Sequence, residues 1–278
     1  MTSPALAPDV LQSIEDRLEA VAQLLPEIGR TLCDMQARDL DISTKSNARD
    51  LVTAADLASE KSLTDFIRSR FPEDAILSEE SDAGHWRANV TSADYCWVID
   101  PLDGTVNYSH GMPLFCISVG LTYKSDRVGG LVLAPALGDF FRAMRGRGAT
   151  LNGRPIRVSE VTRLRDAMIV TGFPYDRENY IDTLMQGVEA MLMNAQGLRR
   201  TGTAAMDLCW VASGRFDGFY EHTLNPWDTC AGLVILDEAG GTVTEVSGQP
   251  FDLYTPTLAA TNGRFQEELV QALNTKYR

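Results

Sequence analysis

Cysteine is scarce in this 278-residue chain, and its five cysteines, Cys33, Cys96, Cys116, Cys209 and Cys230, are odd in number and never spaced as CxxC. That pattern excludes a disulfide framework and a zinc knuckle, and it suits a reducing compartment. Histidine is rarer still. His85, His110 and His222 show no HxxxH or HExxH spacing, which argues against a zinc hydrolase and leaves them loop or surface roles. No run approaches the roughly 18 apolar residues of a membrane span. The opening stretch MTSPALAPDV has no basic segment followed by an apolar one, so a soluble, unexported, cytoplasmic protein is expected. Basic residues are also in deficit, with 25 Lys+Arg against 38 Asp+Glu and a net charge of −13. Such a surface repels nucleic acid and anionic membrane, so the expected partners are small molecules, cations or other proteins.

What the chain does have is core material, with 44% hydrophobic residues spread over one domain's length. Leu11, Ile14, Leu18, Val21, Leu25, Ile28 and Leu32 recur at steps of three and four, which predicts an amphipathic helix with a kink at Pro26. A second helix is predicted from about Ala54 to Phe71, stopping before Pro72. Short β-rich runs follow at 75–78, 95–99, 116–123, 128–134 and 139–144, and they predict a largely antiparallel sheet. The second half alternates strand and helix: strand Ala167–Thr171, helices Glu178–Gln196 and Ala204–Ser213, strand Phe216–Glu221, helix Asp228–Ala239, strand Thr242–Val246 and a closing helix from Arg264. Layered α/β packing, of α+β type, is the expected outcome over residues 1–278. A subdomain boundary is expected near 145–165, in RGRGATLNGRPIRV.

The most informative stretch is WVIDPLDGTVNY. An apolar strand delivers Asp100 at its carboxyl end, Pro101 keeps it out of helix, and Gly104 permits a tight turn that brings Asp100 and Asp103 together. Two carboxylates a few ångströms apart repel by about 4 kcal/mol at an effective dielectric near 20, so a cation or a shared proton is required. All-oxygen donors favour Mg²⁺, Mn²⁺ or Ca²⁺ over zinc. Read alone, DPLDGT is also an ordinary Asx-rich turn, and Asp228 after Pro226-Trp227 an ordinary helix cap. Glu79 and Glu80, following the apolar run Ala75–Leu77, weigh against that plainer reading.

Taken together, EES at 79–81, DPLDGTVNY at 100–108 and WDTCAGLVI at 227–235 resemble the signature segments of the inositol monophosphatase family, in order and spacing. KSNARDLVTAAD at 45–56, GTAA at 202–205, FYE at 219–221, DEAGG at 237–241 and PFDL at 250–253 extend the resemblance over nearly the whole chain. It implies a layered αβαβα sandwich and a lithium-sensitive, magnesium-dependent phosphomonoesterase. Glu79, Asp100 and the Leu102 carbonyl are then expected to hold one Mg²⁺, and Asp100, Asp103 and Asp228 a second. A third ion is expected near Glu79, and Mn²⁺ is able to substitute. By the same resemblance Gly104 and Thr105 offer N–H groups to phosphate, while Asp56 and Thr105 activate water. Gly202, Thr203, Ala204, Glu221, Asp103 and Asp228 contact the substrate. Lys45 falls on a loop near the metals, Glu80 is a neighbour of the site, and Thr53 with Asp56 also reads as a capping pair.

The resemblance implies a homodimer and a small phosphorylated polyol, inositol monophosphate above all. Glu221, an acceptor with no basic residue at its position, favours a neutral polyol over a second phosphate. Histidinol phosphate and fructose 1,6-bisphosphate are the alternatives within the family, and a regulatory role in a transcription complex is the alternative of another class. Two other phosphatase chemistries fail on spacing. DPLDGT has one residue too many for the DxDGT aspartate nucleophile. Cys209 to Arg215 fits a bare Cx5R, but Leu208 precedes the cysteine and the stretch reads as a core helix.

Overall fold

The computed structural model describes residues 6–37, 42–44, 51–80, 93–174 and 176–276, with the backbone alone at 42–44 and 51–53. Lys45, Ser81 and His85 lie outside these residues, as does the side chain of Thr53. Helix α1, Pro8–Gln36, buries Ile14, Leu18, Val21, Leu25, Ile28 and Leu32 and runs on through Pro26. Proline at its first position loses no hydrogen bond, since that N–H has no partner in any helix. A two-stranded antiparallel ribbon, β1 (Ile42–Thr44) and β2 (Leu51–Thr53), leads into α2, Ala54–Arg70.

Seven strands then pair in sequence order: β3 (Ala75–Ser78), β4 (Tyr95–Asp103), β5 (Cys116–Tyr123), β6 (Asp126–Ala134), β7 (Asp139–Met144), β8 (Ala149–Leu151) and β9 (Arg154–Pro155). Only β3 and β4 are parallel; the rest are antiparallel, as the short alternating runs predict. Strand β4 runs four residues past its apolar core, to Asp103, with a break in register against β5 between Asp100 and Asp103. DPLD is therefore an irregular strand end rather than a free turn. Pro101 has no N–H to give the ladder, which accounts for the break.

Between residues 155 and 168 the chain crosses to a second sheet; β8 and β9, inside the 145–165 stretch, still belong to the first. That sheet has β10 (Met168–Thr171), β11 (Gly197–Arg200), β12 (Gly218–Glu221), β13 (Thr242–Thr244) and β14 (Leu258–Thr261), in the order β11-β10-β12-β14-β13. Strands β11 and β14 are not foreseen from sequence. GLRR has no alternation of polar and apolar residues, and LAAT is short and wholly buried. The remaining helices are α3 (Thr105–Ser109), α4 (Ile181–Asn194), α5 (Ala204–Ala212), α6 (Pro226–Glu238) and α7 (Gln266–Leu273).

Period-two alternation sorts the strands into layers. Ile117, Val119, Leu121 and Leu131 pack outward on α1 and α2, while Cys116, Val132 and Ala134 face inward on α5 and α6. From the second sheet Val170, Phe219 and Ala260 join the same inner core, and Ile169, Tyr220 and Ala259 face α4 and α7. The result is the αβαβα sandwich, with α5 and α6 in the middle. Helix α6 lies so close to the first sheet that a β-carbon on Gly120 would collide with Cys230, and one on Gly130 with the Ala231 carbonyl. Those glycines in the β5 and β6 runs therefore let α6 pack directly on the first sheet.

Candidate active site

Strand direction brings the acidic residues together. Strands β3 and β4 run parallel in one sheet, and β10, β11 and β12 run parallel in the other. The carboxyl ends of all five open on one cavity of about 280 Å³, the place where ligands collect in such sheets. Its lining includes Glu79 after β3; Asp100, Leu102 and Asp103 from β4; Gly172, Phe173 and Pro174 after β10; Arg200 from β11; and Glu221 from β12. Three helices start there as well: Thr105 opens α3, Ala204 opens α5, and Asp228 stands in the first turn of α6. Their N-terminal N–H groups give the cavity a positive fringe suited to an anion. Gly104, before α3, has φ +95° and packs on the Leu114 carbonyl, so a side chain fits there in neither conformation nor space.

Every lining residue expected from sequence is present: Glu79, Asp100, Leu102, Asp103, Gly104, Thr105, Gly202, Thr203, Ala204, Glu221 and Asp228. Asp56 is not in the lining. It is buried in the first turn of α2, near enough for its charge to be felt at Asp100 and Tyr108. Thr105 Oγ1 donates to the Leu102 carbonyl at 3.0 Å, and Leu102 N–H donates to Asp100 Oδ1 at 3.1 Å. Asp228 is the third residue of α6, not its cap. Asn225 is the cap, and its N–H donates to Asp228 Oδ2 at 2.7 Å in a reciprocal capping box.

Asp103 joins the two sheets. Its Oδ2 accepts from Thr203 Oγ1 at 2.6 Å and from Ala205 N–H at 2.8 Å, so a carboxylate from β4 caps α5. Cys116 Sγ adds a weak donor at 3.8 Å. Asn107 makes a second bridge, donating to the Leu114 and Thr201 carbonyls at 2.9 Å each. Thr201 Oγ1 in turn donates to the buried Asp207 at 2.6 Å, which fixes the loop carrying Gly202 and Thr203.

Crowding of like charge shows in the acidities. Burial first, then the charges of Glu79, Asp103, Asp228 and Asp56, push the Asp100 carboxyl well above its ordinary range. Burial first, then neighbouring carboxylates, raise Asp228 (Glu79 foremost) and Glu221 (Asp207 foremost) well above theirs. Asp103 is pushed up to about 6 by burial, against the opposing hydrogen bonds from Thr203 and Ala205. Among the described residues, five acidic side chains thus share a lining with one cation, Arg200. As they stand, no three acidic, His or Cys side chains among the described residues are gathered closely enough to hold a metal ion. The donors nonetheless match a hard divalent cation, being carboxylates and one carbonyl with no nitrogen or sulfur.

Arg200 and Phe173 are lining residues that sequence reasoning missed, since GLRR and TGFP carry no motif of their own, and Asn107, inside DPLDGTVNY, was given no role. A parallel-strand assignment for GLRR was the one signal that could have put Arg200 at a strand end. Cys209 is fully buried, and burial raises its thiol well above the usual range, so the core role expected of it stands. His110 is exposed, bonded to the Val106 carbonyl at 2.8 Å, and His222 is half-buried outside the cavity lining. No helix among the described residues is long and apolar enough to cross a membrane.

A two-sheet sandwich with an acidic cavity at its parallel strand ends defines a class, and comparison with known proteins identifies it. The model of the inositol monophosphatase family matches residues 14–277, and the chain belongs to that family. It is 40% identical over 270 residues to an inositol-1-monophosphatase of Synechocystis, covering 97% of this chain and 92% of that one. It is 42% identical over 207 residues to the Nus factor SuhB of Pseudomonas aeruginosa, covering 73% and 75%. Among solved structures, the inositol monophosphatase of Anabaena superposes with a TM-score of 0.83 at 38% identity, covering 94% of this chain and 96% of that one.

Proposed function

We propose that the chain is a divalent-cation-dependent phosphomonoesterase that hydrolyses inositol monophosphate or a similar small polyol phosphate. The observation that carries the reading is the cavity itself, where buried carboxylates from both sheets face three helix N-termini. Without cations such a cavity repels a phosphate; with them it attracts one.

Glu79, Asp100, Asp103, Asp228 and the Leu102 carbonyl are the residues to hold Mg²⁺ or Mn²⁺, two ions or three. When bound, such cations neutralise the phosphate and raise the acidity of water. Asp103 Oδ2 is engaged with α5 and Asp228 Oδ2 with the α6 cap, and both residues line the cavity. Gly104 and Thr105 present N–H groups to the phosphate oxygens at the start of α3. Thr105 Oγ1 donates to the Leu102 carbonyl as it stands; with that proton turned to Asp56, the hydroxyl oxygen would accept a proton from the attacking water while its own proton passes to Asp56, the base. The new phosphorus–oxygen bond forms opposite the ester bond that breaks, and the alcohol is released. Gly202, Thr203, Ala204 and Glu221 border the space for that alcohol, and Glu221 accepts from its hydroxyls.

The test is phosphate release from inositol 1-phosphate, histidinol phosphate, fructose 1,6-bisphosphate and 3′-phosphoadenosine nucleotides, at saturating Mg²⁺ and in excess EDTA. Turnover on inositol 1-phosphate that disappears in EDTA is expected; undiminished turnover in EDTA contradicts the reading. Similarity to the Pseudomonas Nus factor favours a second reading, a binding role in transcription. That reading gains only if no phosphate ester is hydrolysed.

A further inference from the structure

Helix α2 buries an apolar stripe at four-residue steps, Ala55, Leu63 and Ile67, in the same core as Ile99 and Leu102 of β4. Ser59 occupies the remaining step of that stripe and is fully buried. Packing asks for no hydroxyl there, and a buried hydroxyl without a partner costs desolvation. This one has a partner: Ser59 Oγ donates to the Pro101 carbonyl at 2.8 Å. Pro101 and Leu102 fall in the break in register, where neither pairs with a residue of β5, so the ladder does not fix the peptide between them. That peptide is held from both sides instead. Its carbonyl accepts from Ser59, and its N–H, that of Leu102, donates to Asp100 Oδ1 at 3.1 Å. Carbonyl and N–H share one rigid plane, so a bond that directs the first also directs the second.

Ser59 therefore reaches the Asp100 carboxylate through a single peptide unit. Hydrogen bonds in series polarise one another, so the donor at the far end strengthens the bond that Asp100 accepts. Ser59 also lies one turn after Asp56 on α2, and at i, i+3 spacing the two share the buried face of that helix. We propose that Ser59 is a positioning residue, which through the Pro101–Leu102 peptide orients the Asp100 carboxylate for a divalent cation and keeps it in register with Asp56. Ser59 itself touches neither cation nor substrate. The assignment rests on the phosphatase reading and deepens it. The cation ligand and the base named there stand on separate elements, β4 and α2, and the Ser59 bond ties one element to the other.

The test compares wild type, Ser59→Ala and Ser59→Thr, with Ser62→Ala as the control, since the exposed Ser62 hydroxyl of the same helix donates only back to the Ala58 carbonyl. Mg²⁺ affinity is measured calorimetrically on EDTA-stripped protein, and phosphate release from inositol 1-phosphate at saturating Mg²⁺. Ser59→Ala is expected to weaken Mg²⁺ binding by about tenfold, the scale on which a group behind a metal ligand acts. It should lower kcat by a similar factor with KM unchanged, because no substrate contact is lost. Ser59→Thr keeps the donor and should recover part of both losses, and Ser62→Ala should match wild type. If Ser59→Ala lowers Tm equally with and without Mg²⁺ while its Mg²⁺ affinity and kcat match wild type, the bond merely satisfies a buried carbonyl and the proposal is overturned. A rise in KM at unchanged kcat overturns it too. Wild type that binds Mg²⁺ but releases no phosphate fails the phosphatase reading, and the comparison of Mg²⁺ affinities still decides the role of Ser59; wild type that binds no Mg²⁺ overturns both.

Discussion

The two walls of the cavity are built differently. The first-sheet wall is an irregular strand end, with Asp100 and Leu102 almost wholly buried and tied to each other and to Thr105 through short-range bonds. The second-sheet wall consists of strand ends and loops contributed by β10, β11 and β12, residues distant in sequence. One wall concentrates negative charge; the other mixes an acid, an arginine, an aromatic ring and backbone. On the proposed function, the first wall would carry the metal chemistry and the second the choice among leaving groups. Asp103 connects them through Thr203 and Ala205, so the walls are coupled mechanically even though their tasks differ.

The largest effect should follow from disabling the acidic wall alone. Asp100→Asn should reduce kcat by more than about 100-fold, since even residues one shell outside a metal site cost 10–100-fold. It should also raise the melting temperature in EDTA, because it removes a buried charge from a repelling cluster. Near-wild-type turnover would make DPLDGT a structural turn and dissolve the contrast between the walls.

Cutting the connection comes next. Thr203→Val keeps the shape but removes the 2.6 Å bond to Asp103, and should cost about 1.5–3 kcal/mol of stability. Denaturant unfolding measures it, and turnover should fall together with stability because Asp103 loses its anchor. Unchanged stability would mean that the walls are independent. The smallest effect belongs to the specificity wall. Glu221→Gln should cost inositol 1-phosphate roughly 1 kcal/mol in kcat/KM and cationic histidinol phosphate more, nearer 1.5–3 kcal/mol. No change on either substrate would make Glu221 a bystander.

How much of this is legible in the sequence follows from the same contrast. The acidic wall is contiguous, so DPLDGT displays its own chemistry: a strand, a proline that breaks the ladder, paired acids and a glycine at positive φ. The helices α1 and α2 were equally readable, since amphipathic spacing is a local signal. Arg200 was not. Its place depends on β11 pairing parallel to β10, a contact between residues 168–171 and 197–200 that no local pattern encodes. Asp228 was found by motif, and the plainer alternative of a helix cap falls to Asn225, three residues earlier, with which Asp228 forms the capping box.

Acidity sharpens the comparison further. Asp103 holds its proton up to about pH 6 when folded, against an ordinary 3.8, so between those values the native state binds a proton that the unfolded chain has lost. Stability contributed by the protonated group is full below the lower value and is lost as pH rises through the upper one. Asp100, Asp228 and Glu221, raised well above their ordinary range, carry the decline to higher pH. In EDTA, melting temperature should therefore fall more steeply with rising pH for wild type than for Asp100→Asn. Parallel curves would show that the carboxylates are not crowded.

The role proposed for these crowded acids is to hold divalent cations. Titrating Mg²⁺ calorimetrically into EDTA-stripped protein at neutral pH, in buffers of different ionisation heat, tests it most directly. Saturable binding with proton release, abolished or sharply weakened in Asp100→Asn, is the predicted result, because raised carboxyls must give up protons to become ligands. Absence of binding, or binding of equal strength in wild type and Asp100→Asn, would contradict it.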